Sequence, residues 1–523
     1  MNRDAVRQAT TAVLASLLIA LAGAPQDSAD GESIEKKKTE LDRKTSELFW
    51  EYAQKLGQAQ DLEGEAVLSA TAYFITNQKE ILSGAWKLPA EGADKSWDRV
   101  QQTYEKLRAG KSMKSDAKLM GDLAKVVGSV PDEEGGSRQG APTVFIKGWQ
   151  GFDVSIRDEN GKLKIEYQTV SGKAASKDEK VKFLESIKKT FDNARIRRAV
   201  EEEIRRLETG GELKNKDTPP AQKPSAPQDT DSSALEYLKL SKEASGNGLK
   251  DLALNCEVLG YQMRYLPDTI EGLRVLNGYR RTAGLKPVGY AALLSYACAL
   301  HSRYLANESV ETTYGLRAHD EVEKSPYRTA MGAQAGKSSV ISSGTVVDSI
   351  HGWMATFYHR IWLIDPNLEK VGIGRWAPGS MYNVCVDSKT GVASRPDSGI
   401  VSFPANDQTG VPTSFDSFGE VPDPLPSDVE SAGFPITLSF FPASNAGQVS
   451  AVQAALSLDG KEVPCWISWP GNPANKARPT NSNSLCIIAK NPLRPKAEYS
   501  VRIKATVNGK EGAWEWRFRT GDR

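Results

Sequence analysis

The chain has 523 residues, with 67 basic and 66 acidic side chains and a net charge of +1. That length exceeds what one hydrophobic core supports, so several domains are expected. The charge balance excludes the one-sided field that nucleic-acid binders and polybasic membrane binders need.

Residues 1–24 are expected to be a signal peptide. Arg3 and Arg7 precede the apolar run Thr11 to Ala24, which is too short to span a bilayer, and Ala22-Gly23-Ala24 fits the small-residue pattern of a cleavage site. An uncleaved anchor is the alternative. The chain has no later apolar run of spanning length. The expected location is therefore secreted or periplasmic, with no transmembrane span in the mature chain. Export permits disulfides. Of the five cysteines, Cys256, Cys298, Cys385, Cys465 and Cys486, none forms a C-x-x-C pair, so a cysteine zinc site is not expected. Cys465 and Cys486 share one small β-rich segment and are the candidate disulfide pair; an odd count leaves one thiol over.

Residues 31–208 read as a helix-rich region with a β-hairpin. Ile34, Leu41 and Leu48 begin one apolar face, Val67 to Phe74 carry a second helix, and Trp97, Val100, Tyr104 and Leu107 a third. Thr143 to Ile156 and Lys162 to Val170 alternate apolar and polar around Asn160-Gly161, a strong signal for a tight hairpin. Lys180 to Leu207 returns to helix. Residues 209–233, rich in Pro, Gly, Ser, Gln and Asp, read as a disordered linker.

Residues 234–267 form a helical lead-in, broken at Gly246-Asn247-Gly248. Asp268 and Glu271 make a capping-box pattern at the start of the next helix. Ala291 to Ala306 is a further helix, Val346 to Ile364 another, and Val371 to Gly374 and Tyr382 to Val386 are short strand candidates. Residues 410–523 hold six or seven short alternating runs, with Asp459-Gly460 and Asn508-Gly509 as hairpin turns, and suggest an all-β, Ig-like sandwich of the kind found in bacterial modules. Trp466, Trp469, Trp514 and Trp516 read as packing residues, with a sugar-binding surface as the alternative.

Leu276-Asn277-x-x-Arg280, Gly284-Leu285-x-Pro287, the His301 helix, Trp353-Met354 with His359-Arg360, Asp365-Pro366 and Gly372-x-Gly374, in that order, resemble the CAP superfamily of cysteine-rich secretory, antigen 5 and pathogenesis-related 1 proteins, in its bacterial SCP-like branch. The resemblance covers about residues 268–390. It implies an αβα sandwich in a multidomain chain, a secreted location and a central cleft of two histidines and two acids that holds a divalent metal such as zinc in some members. Carried over residue by residue, the histidines are His319 and His359, which are then the metal-site candidates. The acids fall on Lys337 or Ser338 and on Thr356, none of them acidic. Nearby Asp320, Glu321 and Asp348 are the candidate replacements. His301 and His351 are read as structural. No Gly-x-Ser-x-Gly elbow accompanies the Ser-rich stretch Ser338 to Gly344, so no catalytic residue is assigned.

The expected function is a non-catalytic extracellular or periplasmic binding module with a degenerate cleft. Its ligand would be a lipid, another apolar molecule or a cell-envelope component, with Trp353, Phe357, Tyr358 and Trp362 as candidate groove residues. Two alternatives stay open: a metal-assisted hydrolase acting on peptides or cell-envelope polymers, and a structural adhesion protein.

Overall fold

In the computed structural model the described residues are 29–109, 117–127, 143–146, 152–159, 162–169, 176–190, 194–209 and 232–522, apart from 91, 377–382, 394–396, 417–419, 427–428, 430 and 443–448. The expected signal segment, the Asn160-Gly161 turn and most of the expected linker lie outside them.

The N-terminal helices are α1 (Ala29–Gln58), α2 (Leu62–Ser83), α3 (Lys95–Ala109) and α4 (Ala117–Val127). The spaced apolar residues of α1 (Ile34, Leu41, Phe49, Leu56) are buried. Helix α2 is buried along its whole first half, from Leu62 to Ile75, because it lies between α1 and the middle of the chain. Strands β1 (Thr143–Ile146), β2 (Phe152–Glu159) and β3 (Lys162–Thr169) form an antiparallel sheet, with Glu159 opposite Lys162. Helices α5 (Lys177–Thr190) and α6 (Ala194–Glu208) cover it. This small unit has its own core of Val154, Ile156, Phe183, Leu184, Ile187 and Val200.

Helices α7 (Ser233–Gly246), α8 (Lys250–Arg264) and α9 (Leu266–Thr282) lead into the middle region. Asp268 does not cap α9 as its spacing suggested. The helix starts two residues earlier, with Pro267 in its first turn, and the Asp268 carboxylate instead accepts the Val346 amide and the Arg375 guanidinium, each at 2.8 Å.

The middle region is built on a four-stranded sheet of β4 (Gly289–Tyr290), β5 (Ser339–Ser343), β6 (Lys370–Trp376) and β7 (Asn383–Asp387), in the order β4-β6-β7-β5. Helix α10 (Ala292–Asn307) lies across β6 and β7. The Gly-x-Gly of β6 makes this possible. A Cβ at Gly374 would stand 2.1 Å from the Ala299 nitrogen, and one at Gly372 2.5 Å from Leu294. Alternation then turns Ile373 and Arg375 to the opposite face. There they border a cavity of about 20 Å³ shared with Phe49, Phe74, Met263 and Leu266, room for about one water.

After α10 come a short helix, α11 (Val310–Thr313), and a 3-10 turn, Gly315–His319. Helix α12 (Ala330–Ser338) follows. The expected helix Val346 to Ile364 is in fact two, α13 (Val346–Ala355) and α14 (Tyr358–Leu363), broken at Thr356-Phe357.

The C-terminal region is strand-rich. β8 (Gly399–Phe403), β12 (Ile436–Phe441), β15 (Cys465–Ser468) and β16 (Ser484–Ala489) make one antiparallel sheet. β9 (Gln408–Val411), β13 (Val449–Leu458), β14 (Lys461–Val463), β17 (Glu498–Val507) and β18 (Lys510–Thr520) make a second, and β10 (Ser414–Asp416) pairs with β11 (Ser431–Gly433). This arrangement is consistent with a β-sandwich. Both predicted hairpin turns form, with positive φ at Asp459, Gly460, Asn508 and Gly509. The expected Cys465–Cys486 bridge does not form. All five cysteines are free, and strand register sets Cys465 opposite Ala489 and Cys486 opposite Ser468.

One continuous apolar cluster runs from Ile34 through the middle sheet to Phe518. Charges fasten the N-terminal helices to it. Asp61 takes Arg274 in two hydrogen bonds of 2.8 and 2.9 Å, Glu63 faces Arg281 at 3.3 Å, and the Tyr104 hydroxyl donates to the Glu369 carbonyl. Among the described residues no helix is long and apolar enough to cross a membrane.

Candidate functional site

Two buried side chains brace the scaffold. The Asn277 amide is bonded both ways to the Val288 backbone, at 2.7 and 3.1 Å. Arg280 donates to the carbonyls of Lys286, Leu363, Asp365 and Leu368, and its complete burial pushes its pKa down to about 10 against the pull of Asp365. These contacts explain the Asn-x-x-Arg spacing on α9: the two residues tie the helix to the strand-leading loop and to the end of α14.

Residues 273–385 match the family model described as CAP, the cysteine-rich secretory protein family. The chain contains a CAP domain. No curated protein matches the chain.

The two histidines that the resemblance carries to the cleft, His319 and His359, lie in the 3-10 turn and on α14. His319 turns Nδ1 to the Gly336 carbonyl at 2.9 Å. A carbonyl only accepts, so Nδ1 carries the proton and Nε2 keeps a lone pair. Burial pushes the His319 pKa down to about 4; the Gly336 bond opposes this, and the nearby charges of Lys389 and His359 add to it. His319 is neutral at pH 7.

His359 turns Nδ1 to a carboxylate that sequence reasoning did not find. Glu420 Oε1 lies 3.2 Å away. Thr356 Oγ1, which donates to the Trp353 carbonyl, is a second neighbour at 3.3 Å. Glu420 comes from the segment between β10 and β11, beyond the matched CAP residues. Its two oxygens accept the backbone amides of Phe357, Tyr358 and His359, at 2.8, 2.6 and 3.1 Å. These are the orphan donors of the first turn of α14. Glu420 is therefore the N-terminal cap that the helix break at Thr356-Phe357 requires, supplied from outside the domain. The only sequence signal was a lone acid in Phe418-Gly419-Glu420-Val421-Pro422, with nothing to connect it to His359.

The other acids do not enter the cleft. Glu321 is buried against His301 at 2.9 Å and also accepts the Thr329 amide. The His301 Nε2 faces the Ala318 carbonyl, so both ring nitrogens meet acceptors and the ring is held as an imidazolium. Burial works against that charge, but the Glu321 carboxylate and its other partners raise the His301 pKa above the ordinary histidine value. Thr345 caps α13 by accepting the Asp348 amide, and the Asp348 carboxylate accepts the Thr345 hydroxyl in return; Asp320 is exposed. Lys337 is exposed too, while its carbonyl accepts Lys389 Nζ at 3.3 Å. His351 bonds the Tyr279 hydroxyl, away from the cleft. Trp353, Phe357 and Tyr358 are buried in the core rather than open to a groove, and Trp362 is half-buried.

A metal of the kind the family implies does not fit this donor set. Among the described residues the one carboxylate beside the two imidazoles, Glu420, has its oxygens engaged by three amides and a histidine, and Lys389 brings a positive charge near His319. Among the described residues no three His, Cys, Asp or Glu side chains gather to hold a metal ion. Zinc sites need three or four ligands.

The strand-rich region is anchored at the same spot. Arg360 of α14 is fully buried between the rings of Phe403 and Phe434, 4.7 and 4.8 Å from their centroids, and donates to the Pro435 carbonyl at 2.9 Å. Burial pushes its pKa down to about 10. Arg360 and Glu420 thus each reach across the junction between the middle and strand-rich regions.

Proposed function

We propose that this chain is an exported CAP-domain protein that acts as a non-catalytic extracellular or periplasmic binding module. In this reading the CAP unit is an αβα sandwich and the strand-rich region an Ig-like sandwich that completes its cleft. Helices on both faces of the middle sheet support the first assignment. The Tyr499 hydroxyl, accepting the Arg494 amide at 2.7 Å just before β17, supports the second, as a corner of the type such sandwiches use.

The observation that carries the functional reading is the engagement of Glu420. The hydrolase alternative calls for acids beside His319 and His359 that are free to ligate a metal or to take and give a proton. The one carboxylate at the cleft is spent on the amides of α14 and on orienting His359. His319 stays neutral with its Nδ1–H given to the Gly336 carbonyl, and His359 is held by Glu420, so the two histidines read as a recognition surface.

The test is calorimetric zinc titration and a peptide and cell-wall hydrolysis screen on the full chain, beside the His319→Ala/His359→Ala double variant. The expected result is equal behaviour of the two proteins in both assays. Zinc-dependent hydrolysis that the double variant loses would overturn the proposal in favour of a metal-assisted hydrolase.

A further inference from the structure

Two thiols meet beneath α10. Gly374 of β6 lies directly opposite Cys385 of β7 in the antiparallel ladder. Side chains so opposed have Cβ atoms about 4.5–5.5 Å apart. Gly374 has no Cβ, and Cys298 of α10 takes the space: its Cβ stands 2.7 Å from where one on Gly374 would be. Cys298 therefore faces Cys385 as a cross-strand partner would, although it comes from the helix above. The two sulfurs converge on one hydroxyl. The Cys385 thiol donates to Ser339 Oγ at 3.0 Å, and the Cys298 sulfur lies 3.9 Å from the same oxygen. That hydroxyl donates on to the Ala335 carbonyl at 2.6 Å. The thiols also hydrogen-bond each other. A disulfide asks for Cβ atoms about 3.5–4.5 Å apart, which a small approach of α10 to β7 supplies.

The other cysteines are placed differently. Cys465 and Cys486 are offset in register, and Cys256 lies on α8. Cys298 and Cys385 are free thiols in the structure, and both are completely buried. Burial pushes both thiols up. For Cys385 the contact with Cys298 and the charge of His301 outweigh it and its pKa falls, whereas that of Cys298 rises. Cys385 is thus the sulfur that ionises first.

We propose that Cys298 and Cys385 are a disulfide-forming pair, closed by thiol–disulfide exchange while the chain folds and shielded once α10 is seated. The Cys385 thiolate attacks a small-molecule disulfide and releases one half as a thiolate. That thiolate takes the Cys298 proton. The Cys298 sulfur then attacks Cys385 in the mixed disulfide and releases the second half, which takes up the proton that Cys385 shed. Two protein thiols and one small disulfide become one protein disulfide and two small thiols. The bond ties the His301 helix to the middle sheet. It goes beyond the binding reading and does not depend on it.

The experiment refolds the full chain from urea with reduced and oxidised glutathione, and in parallel with dithiothreitol alone. Remaining thiols are alkylated under denaturing conditions, and the digest is mapped by mass spectrometry. A peptide pair joining Cys298 to Cys385 is expected in the glutathione sample only, with a Tm about 5 °C above that of the reduced chain. Dithiothreitol should leave the bond intact in the folded chain and reduce it in urea. Cys298→Ala and Cys385→Ala should each abolish the linked peptide and the Tm difference, and Cys256→Ala should keep both. Mapping of the unaltered chain needs no variant, so the test stands if either alanine chain does not fold. Alkylation of both cysteines after refolding with glutathione, linkage of either to another cysteine, an equal or lower Tm, or reduction of the folded chain as fast as in urea would overturn the proposal.

Discussion

The two imidazoles of the cleft are held from different sources. His319 is held from within the CAP match. Its ring is bonded to the Gly336 carbonyl, and its turn is fastened by the His301 imidazolium gripping the Ala318 carbonyl, with Glu321 behind. His359 is held from outside, by a carboxylate 61 residues further along the chain. The two sides perform the same task, fixing Nδ1–H and presenting Nε2, one with a local network and the other with a borrowed cap. A family match can therefore contain both histidines of a site and still lack half of what orients them.

Removing the borrowed side should have the largest effect. Glu420→Ala strips α14 of its cap and leaves the nearby buried Arg360 without a compensating charge. It should cost about 3 kcal/mol in urea unfolding. It should also change the His359 ring signals while leaving those of His319 in place. Equal disturbance of both rings would break the comparison. The local side has a smaller counterpart. A Cβ at Gly336 would meet the His301 ring at 2.5 Å and the His319 carbonyl at 2.8 Å, so Gly336→Ala should cost about 2 kcal/mol and disturb His301 and His319 before His359.

The smallest effect is read by titration. His301 and His319 are shifted in opposite directions from the ordinary 6.5. The raised pKa of His301 contributes stability that is present below 6.5 and is lost as pH rises through its folded value. The depressed pKa of His319 means that the unfolded chain binds more protons between 6.5 and about 4, so its contribution is lost as pH falls through that window. NMR titration of the ring protons should show His301 charged above pH 6.5 and His319 neutral well below it. A shared midpoint would sink the account of the local network.

What the sequence revealed follows the range of each interaction. Helix faces and the Asp459-Gly460 and Asn508-Gly509 turns were legible because period and turn chemistry are local. The break at Thr356-Phe357 was not, because the run Trp353 to Ile364 stays apolar through it and the cap that permits it lies in another region. The Cys465–Cys486 pairing failed for a related reason. Membership of one segment does not set register, and register sets these two thiols three positions apart on neighbouring strands. His301, read as structural, has Glu321 as its partner, an acid that spacing alone had offered to the cleft.

The clamp of the N-terminal helices on α9 has a consequence for the chain as a covalent object. Asp61 on Arg274, Glu63 on Arg281 and Tyr104 on Glu369 join parts of the protein on opposite sides of residues 210–231, and none of these contacts depends on the peptide bonds between. A protease that cuts there would yield two fragments on a denaturing gel and a single species on a sizing column: a two-chain form, held by its buried ion pairs and shared core.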